Sequence, residues 1–108
     1  MKKENNITEC GRNLEQSIDF EFYKTLFDPV RSEILKFLAV QGKKNITEIA
    51  ENFSQDRSVI SRHLELMNRY GILSKEKQNR SVFYEVNKEL IIEKFETTSI
   101  ELKKFIQE

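Results

Sequence analysis

The sequence predicts a mostly helical single domain with one β-hairpin near its end, and three observations predict it. Glycine and proline are scarce, three and one among 108 residues, so the chain has few places to break a helix. Apolar residues recur at helical spacing along most of the chain and switch to strict alternation only in a short stretch before Asn87. Hydrophobic residues make up 38% and charged residues 33%, enough apolar material for one small core under a charged surface.

Residues 1–12 are polar and aperiodic, and read as a mobile arm ahead of a domain spanning 13–108. From Leu14 the apolar positions Leu14, Ile18, Phe22 and Leu26 recur every four residues, with Tyr23 and Phe27 beside them, which predicts one amphipathic helix. Asp28-Pro29 ends it and starts a second, because aspartate caps a helix and proline suits its first turn. Val30, Ile34, Leu35, Phe37 and Leu38 form its buried face, and Gln41-Gly42 stops it. Asn45-Ile46-Thr47-Glu48 has capping-box spacing, and Ile49, Ala50 and Phe53 supply the inner face of a short third helix.

The polar turn Ser54-Gln55-Asp56 leads into a fourth helix, Asp56–Tyr70, with Val59, Ile60, His63, Leu64 and Met67 along one side. Two short strands follow, Ile72–Gln78 and Ser81–Val86, the second alternating Val82, Tyr84 and Val86 with Ser81, Phe83 and Glu85. Asn79-Arg80 joins them, and asparagine tolerates the left-handed backbone of a tight hairpin turn. Asn87 caps a last helix whose apolar positions, Ile91, Phe95, Thr98, Leu102, Phe105 and Ile106, make a narrow seam of coiled-coil type. Three helices followed by a β-hairpin is the order of a winged helix-turn-helix, with further helices at both ends.

Composition excludes several classes. No run approaches the roughly 18 apolar residues of a membrane span. Met1-Lys2-Lys3-Glu4-Asn5-Asn6 has no apolar core of a secretory signal. Cys10 is the only cysteine, so no internal disulfide forms, and a cytoplasmic location is the default expectation. Net charge is zero, yet Arg57, Arg62, Arg69, Lys75, Lys77 and Arg80 outnumber Asp56, Glu65 and Glu76 within residues 54–81. This local basic excess coincides with the fourth helix and the hairpin, where a nucleic-acid interface would need it.

The fourth helix has the two faces such an interface requires. Val59, Ile60 and His63 can turn inward while Arg57, Ser58, Ser61 and Arg62 face outward. Serines let the backbone come close to a groove floor, and arginines bond guanine edges in pairs or bind phosphates. Asp56 is expected to cap the first turn. Lys75, Lys77 and Arg80, at or near the hairpin tip, form a second basic element suited to the DNA backbone or minor groove. His63, at helical spacing with Ile60 and Leu64, reads as a packed and hydrogen-bonded side chain.

On these residues the sequence resembles the ArsR/SmtB family of winged-helix repressors. Leu26-Phe27-Asp28-Pro29-Val30-Arg31-Ser32-Glu33-Ile34-Leu35 is similar to the family's "L-x-D-P-x-R-x-x-I-L", and Thr47-Glu48-Ile49-Ala50 to its short third helix. Ser61-Arg62-His63-Leu64-Glu65-Leu66-Met67 resembles "S-R-H-L-x-x-L", Tyr70-Gly71-Ile72-Leu73 the exit "A-G-L-V", and Asn79-Arg80-Ser81-Val82-Phe83-Tyr84 the wing "G-R-x-V-Y-Y". Together these matches span about residues 20–88. The resemblance implies a homodimer built from the first and last helices, here Leu14, Ile18, Phe22, Ile91, Phe95, Leu102 and Phe105. It implies a repressor that binds a double-stranded palindromic operator through Arg57, Ser58, Ser61, Arg62, Lys77 and Arg80.

The chain departs from that outline in its metal ligands. The family's metal sensors carry a cysteine pair at the third helix, where this chain has Asn45-Ile46-Thr47-Glu48, or histidines on the last helix, where Asn87–Glu108 has none. One cysteine and one histidine fall short of the three or four nitrogen or sulfur ligands of a zinc-type site. No metal, cofactor or catalytic residue is therefore expected: there is no phosphate-cradling glycine loop and no nucleophile aligned with His63. Two other readings stay open from the sequence, a ligand- or redox-sensing repressor using Cys10 and a winged helix that binds only protein.

Overall fold

The computed structural model describes residues 16–106. The expected arm at 1–12, Cys10 and Leu14 lie outside them. The elements are α1 (Phe20–Leu26), α2 (Pro29–Gln41), β1 (Lys44–Asn45), α3 (Ile46–Ala50), α4 (Arg57–Arg69), β2 (Leu73–Gln78), β3 (Ser81–Val86) and α5 (Lys88–Ile106). The order is that of a winged helix-turn-helix, as expected, with a small three-stranded antiparallel sheet in the order β1-β3-β2.

The first helix differs from its expectation. It does not run unbroken from Leu14, because the chain bends at Ile18 and restarts at Phe20. Asp19 causes the restart: its side chain accepts the Phe22 amide at 3.1 Å and so serves as an N-cap. Its carboxylate is held below the usual range, first by the hydrogen bond from Lys94 Nζ at 2.9 Å.

The junction of α1 and α2 explains why Asp28-Pro29-Val30-Arg31-Ser32 is assembled as it is. The Asp28 carboxylate caps α2 through the amides of Val30 and Arg31, at 3.1 and 3.2 Å. Arg31 Nε donates to the Thr25 carbonyl at 2.7 Å and Ser32 Oγ to the Leu26 carbonyl at 3.0 Å. Carbonyls left open at the end of α1 are thus closed by side chains of α2. Gly42, at φ 82°, ends α2, and Asn45 with Glu48 forms the reciprocal capping box of α3.

Asn45 also belongs to β1, a two-residue strand too short to show alternation in the sequence, which pairs Lys44 with Tyr84 and Asn45 with Phe83. α3 stops at Ala50, so Phe53 packs from the following turn, its ring edge-on to Phe37 at 5.9 Å. The hairpin runs as expected, from Leu73 opposite Val86 to Gln78 opposite Ser81, with Asn79 at φ 56° in the turn.

One core holds these elements together. Phe22 and Leu26 of α1, Ile34 and Leu38 of α2, Ile49 of α3 and Ile60, Leu64 and Met67 of α4 meet Ile72, Leu73 and Tyr84. Ile18 and Phe22, expected at a dimer interface, are 4% and 0% exposed within the single chain. In the single chain each is already buried and has next to no surface left to offer a second copy. Ile91 is half-buried against the same core.

The seam of α5 therefore divides. Its first half packs on α1 of the same chain, with Phe95 5.3 Å from the Tyr23 ring and the Tyr23 hydroxyl 2.6 Å from Thr98 Oγ1. Leu102 and Ile106 remain exposed, and Phe105 is half-buried.

Candidate nucleic-acid interface

α4 starts at Arg57, with Asp56 in the N-cap position at φ −60° and ψ 150°. The Asp56 side chain makes no capping hydrogen bond, contrary to expectation. The first turn is instead closed by backbone, the Asp56 carbonyl accepting the amides of Val59 and Ile60 at 2.9 and 3.0 Å. Ile60, Leu64 and Met67 are buried, which turns the opposite side outward. At about 100° per residue, Ser58, Ser61, Arg62, Glu65 and Arg69 line up along that side. Ser58, Arg62 and Arg69 are exposed and Ser61 is half-buried. Arg57 is exposed in the first turn, about a quarter turn off this stripe.

His63 sits beside the stripe, facing α2. Arg31 Nη1 lies 3.3 Å from His63 Nδ1, and a guanidinium can only donate, so Nδ1 is the unprotonated nitrogen. Burial, then the adjacent Arg31 charge, holds the imidazole below its ordinary pKa. Arg31 itself is pinned by the Thr25 carbonyl and the nearby Asp28 carboxylate. The expected packed, hydrogen-bonded histidine is what the structure shows, and it fixes α4 against α2.

The hairpin is tied to α4 by Glu65. Its Oε1 accepts from the Tyr84 hydroxyl at 2.6 Å and from Lys75 Nζ at 2.8 Å. These two bonds, Lys75 first, hold the Glu65 carboxyl below the usual range. Tyr84 is fully buried, and desolvation together with Glu65 raises its hydroxyl far above the ordinary tyrosine range, so it stays a neutral donor. At the hairpin base, Asn68 Nδ2 donates to the Leu73 carbonyl at 2.9 Å. Lys77 lies two residues past Lys75, on the same face of β2, and Arg80 lies in the turn; both are exposed.

The charges sort into two groups. Lys75 pairs with Glu65, and Lys43 with Glu76, whose carboxyl is lowered chiefly by that bond. Among the described residues, no carboxylate pairs with Arg57, Arg62, Arg69, Lys77 or Arg80. Glu65 and Glu76 are thus matched by lysines, while the arginines and one wing lysine keep their charge free. Such a surface suits a polyanion whose base edges accept paired arginine donors.

Arg69, counted in the basic excess but not among the expected contacts, falls on the same stripe seven residues after Arg62. Glu65 and Tyr84 carried no local signal, because their contact spans 19 residues. Among the described residues, no three His, Cys, Asp or Glu side chains converge as metal ligands, and no helix is long and apolar enough to cross a membrane.

Comparison with known proteins agrees with this geometry. Residues 28–75, from the start of α2 into β2, match the family described as bacterial regulatory protein, arsR family. An uncharacterized HTH-type transcriptional regulator of Methanocaldococcus jannaschii is 33% identical over 64 residues, covering 59% of this chain and 72% of the relative. A second regulator of that description and organism is 30% identical over 85 residues, 78% of this chain; the chain spans only 20% of that relative's length. Among solved structures, an ArsR-like transcriptional regulator from Rhodococcus sp. RHA1 superposes with a TM-score of 0.70 at 20% identity, over 79% of each chain. The transcriptional repressor PagR of Bacillus anthracis has a TM-score of 0.59 at 29% identity, over 64% of this chain and 78% of its own.

Proposed function

The chain belongs to the ArsR family of regulatory proteins, and from that premise we propose that it is a homodimeric transcriptional repressor of a palindromic DNA operator. The observation that carries the DNA reading is the unpaired basic stripe of α4 beside the unpaired Lys77 and Arg80 of the wing. Arg57, Ser58, Ser61 and Arg62 read base edges in the major groove, with Arg69 at the end of the stripe on the phosphates. Lys77 and Arg80 bind the backbone or enter the minor groove beside it. Repression is favoured by the likeness to PagR, a transcriptional repressor at 29% identity.

The dimer is supported by apolar surface on α1 and α5. Phe20, Phe27, Ile92, Phe95, Leu102 and Ile106 are all exposed in the single chain. Tyr23 links the two helices through Phe27 and Phe95, so the surface is continuous across them. Contiguous apolar surface of this kind marks an interface. It replaces Ile18 and Phe22 in the expected contact set and keeps Phe95, Leu102 and Phe105. The repressor works without a cysteine or histidine metal site of its own, since its one histidine is engaged by Arg31.

Selection of bound duplexes from a random pool tests the reading. The expected product is an imperfect palindrome whose half-sites lie about 10 base pairs apart, bound less tightly as salt rises. Recovery of no preferred sequence would sink it.

A further inference from the structure

A protein that reads DNA with both a helix and a wing must hold the two at a fixed angle. Packing brings the hairpin against α4, chiefly through β2, but apolar contact is not directional. The direction comes from one carboxylate oxygen. Glu65 Oε1 receives Tyr84 from β3 and Lys75 from β2, at 2.6 and 2.8 Å, and these two donors stand directly opposite each other in the hairpin register. One atom on the outward stripe of α4 therefore grips both strands at the same level. Hydrogen bonds to a carboxylate are short and angle-dependent, so the grip resists rotation as well as separation.

The lever is long enough to matter. From Lys75 to the turn at Asn79 is four residues, about 13 Å of strand. A rotation of about 10° at Lys75 would move the tip by about 2 Å, enough to break a hydrogen bond there. From α4 the other polar tie, Asn68 to the Leu73 carbonyl, sits at the base of the hairpin; β1 beside β3 and the Lys43–Glu76 pair hold the hairpin from its other side and leave its angle to α4 to the Glu65 contact.

We infer that Glu65, clasped by the cross-strand pair Lys75 and Tyr84, is a positioning residue that sets the angle between the reading helix and the wing, and with it the sequence selectivity that needs both. The inference rests on the DNA reading proposed above. Glu65 touches no base in this scheme; it acts through Arg80 and Lys77 at the far end of the hairpin.

The test uses an operator selected by the wild-type protein and a scrambled duplex, at one fixed salt concentration. Tyr84→Phe keeps the buried ring and removes only the hydroxyl. Its affinity for the operator should fall roughly tenfold, the loss of one charge-assisted bond, while its affinity for the scrambled duplex stays within about twofold. In an Arg80→Ala background the same change should cost less than about twofold more, because the clasp acts through the wing. Glu65→Gln, which keeps an oxygen acceptor, should lose less operator affinity than Glu65→Ala. Should Tyr84→Phe fail to fold by thermal melting, the half-exposed Glu65→Ala carries the same comparison and the same cycle with Arg80→Ala. Wild-type operator affinity in the variants, equal loss on both duplexes, or full additivity with Arg80→Ala would overturn the inference. A wild-type protein that selects no sequence overturns the DNA reading itself, and that result appears before any variant is made.

Discussion

Arg31 reaches three places at once: the carbonyl that ends α1, the Asp28 cap of α2, and the imidazole of α4. The last contact carries a pH dependence. His63 has a pKa held below its ordinary 6.5, so the unfolded chain takes up the proton more readily than the folded one. The stability linked to neutral His63 is thus fully present above about pH 6.5 and declines as pH falls from there through the lowered folded value. Thermal melting at about pH 7.5 and about pH 5.5 should show a smaller drop for His63→Gln than for wild type; equal drops would mean the imidazole contributes nothing. Arg62, next to it in the chain but on the outward side, is the proposed base reader instead. Arg62→Ala should cost about 1–3 kcal/mol of operator binding and relax preference at one base position, measured by repeating the duplex selection. The packed position of His63 was legible in outline, because at helical spacing residues 61 and 62 fall outward and 63 and 64 inward. The partner of His63 was not legible, since it lies 32 residues away on another helix.

At the scale of elements, turns and caps decide where each piece begins, and two glycines show how different such positions are. Gly71 sits at φ +79° after α4, and a Cβ there would lie 2.5 Å from Leu90 Cδ1 of α5. Gly71→Ala should therefore destabilise the fold by about 2–4 kcal/mol, combining left-handed strain with overpacking. Gly42 has a similar φ of +82° but nothing within 4 Å of a Cβ, so Gly42→Ala should cost only about 1–2 kcal/mol. Urea unfolding of the two variants would compare them directly. Asn45→Ala removes the side-chain half of the capping box and should cost about 0.5–2 kcal/mol in the same assay. The box was readable because its spacing is local. The hairpin was readable because Val82, Tyr84 and Val86 alternate and Asn79 accepts a positive φ. The break at Asp19 was not, because an unbroken apolar period runs across it and the Lys94 that partners its carboxylate is 75 residues away. β1 was not, because two residues hold no period; it exists only because β3 has an edge for it.

At the scale of the whole molecule, the apolar seam of α5 is divided between contacts within the chain and open surface. Spacing identified the seam, but spacing cannot tell a contact within one chain from a contact between two. The structure divides it, with Ile91 on the core, Phe95 and Thr98 beside Tyr23, and Leu102 and Ile106 open to solvent. Leu102→Glu should therefore leave the fold and melting temperature near wild type while shifting the protein toward monomer in sedimentation. Operator affinity should fall with it, since half-site binding loses the second copy's contribution. A dimeric Leu102→Glu protein would place the contact elsewhere.

The close seating of Leu90 on Gly71 has a mechanical consequence. Gly71 is the first residue past the end of α4 and its C-cap, and Leu90 lies in the first turn of the helix that carries the apolar seam. With no side chain between backbone and leucine, the joint is a fulcrum rather than a cushion. A displacement of α5 at Leu90 would reach the end of α4 through this contact, while Tyr23 and Asp19 hold α5 farther along. The helix that carries the apolar seam is thereby joined to the helix that carries Arg62 by a leucine seated on a glycine.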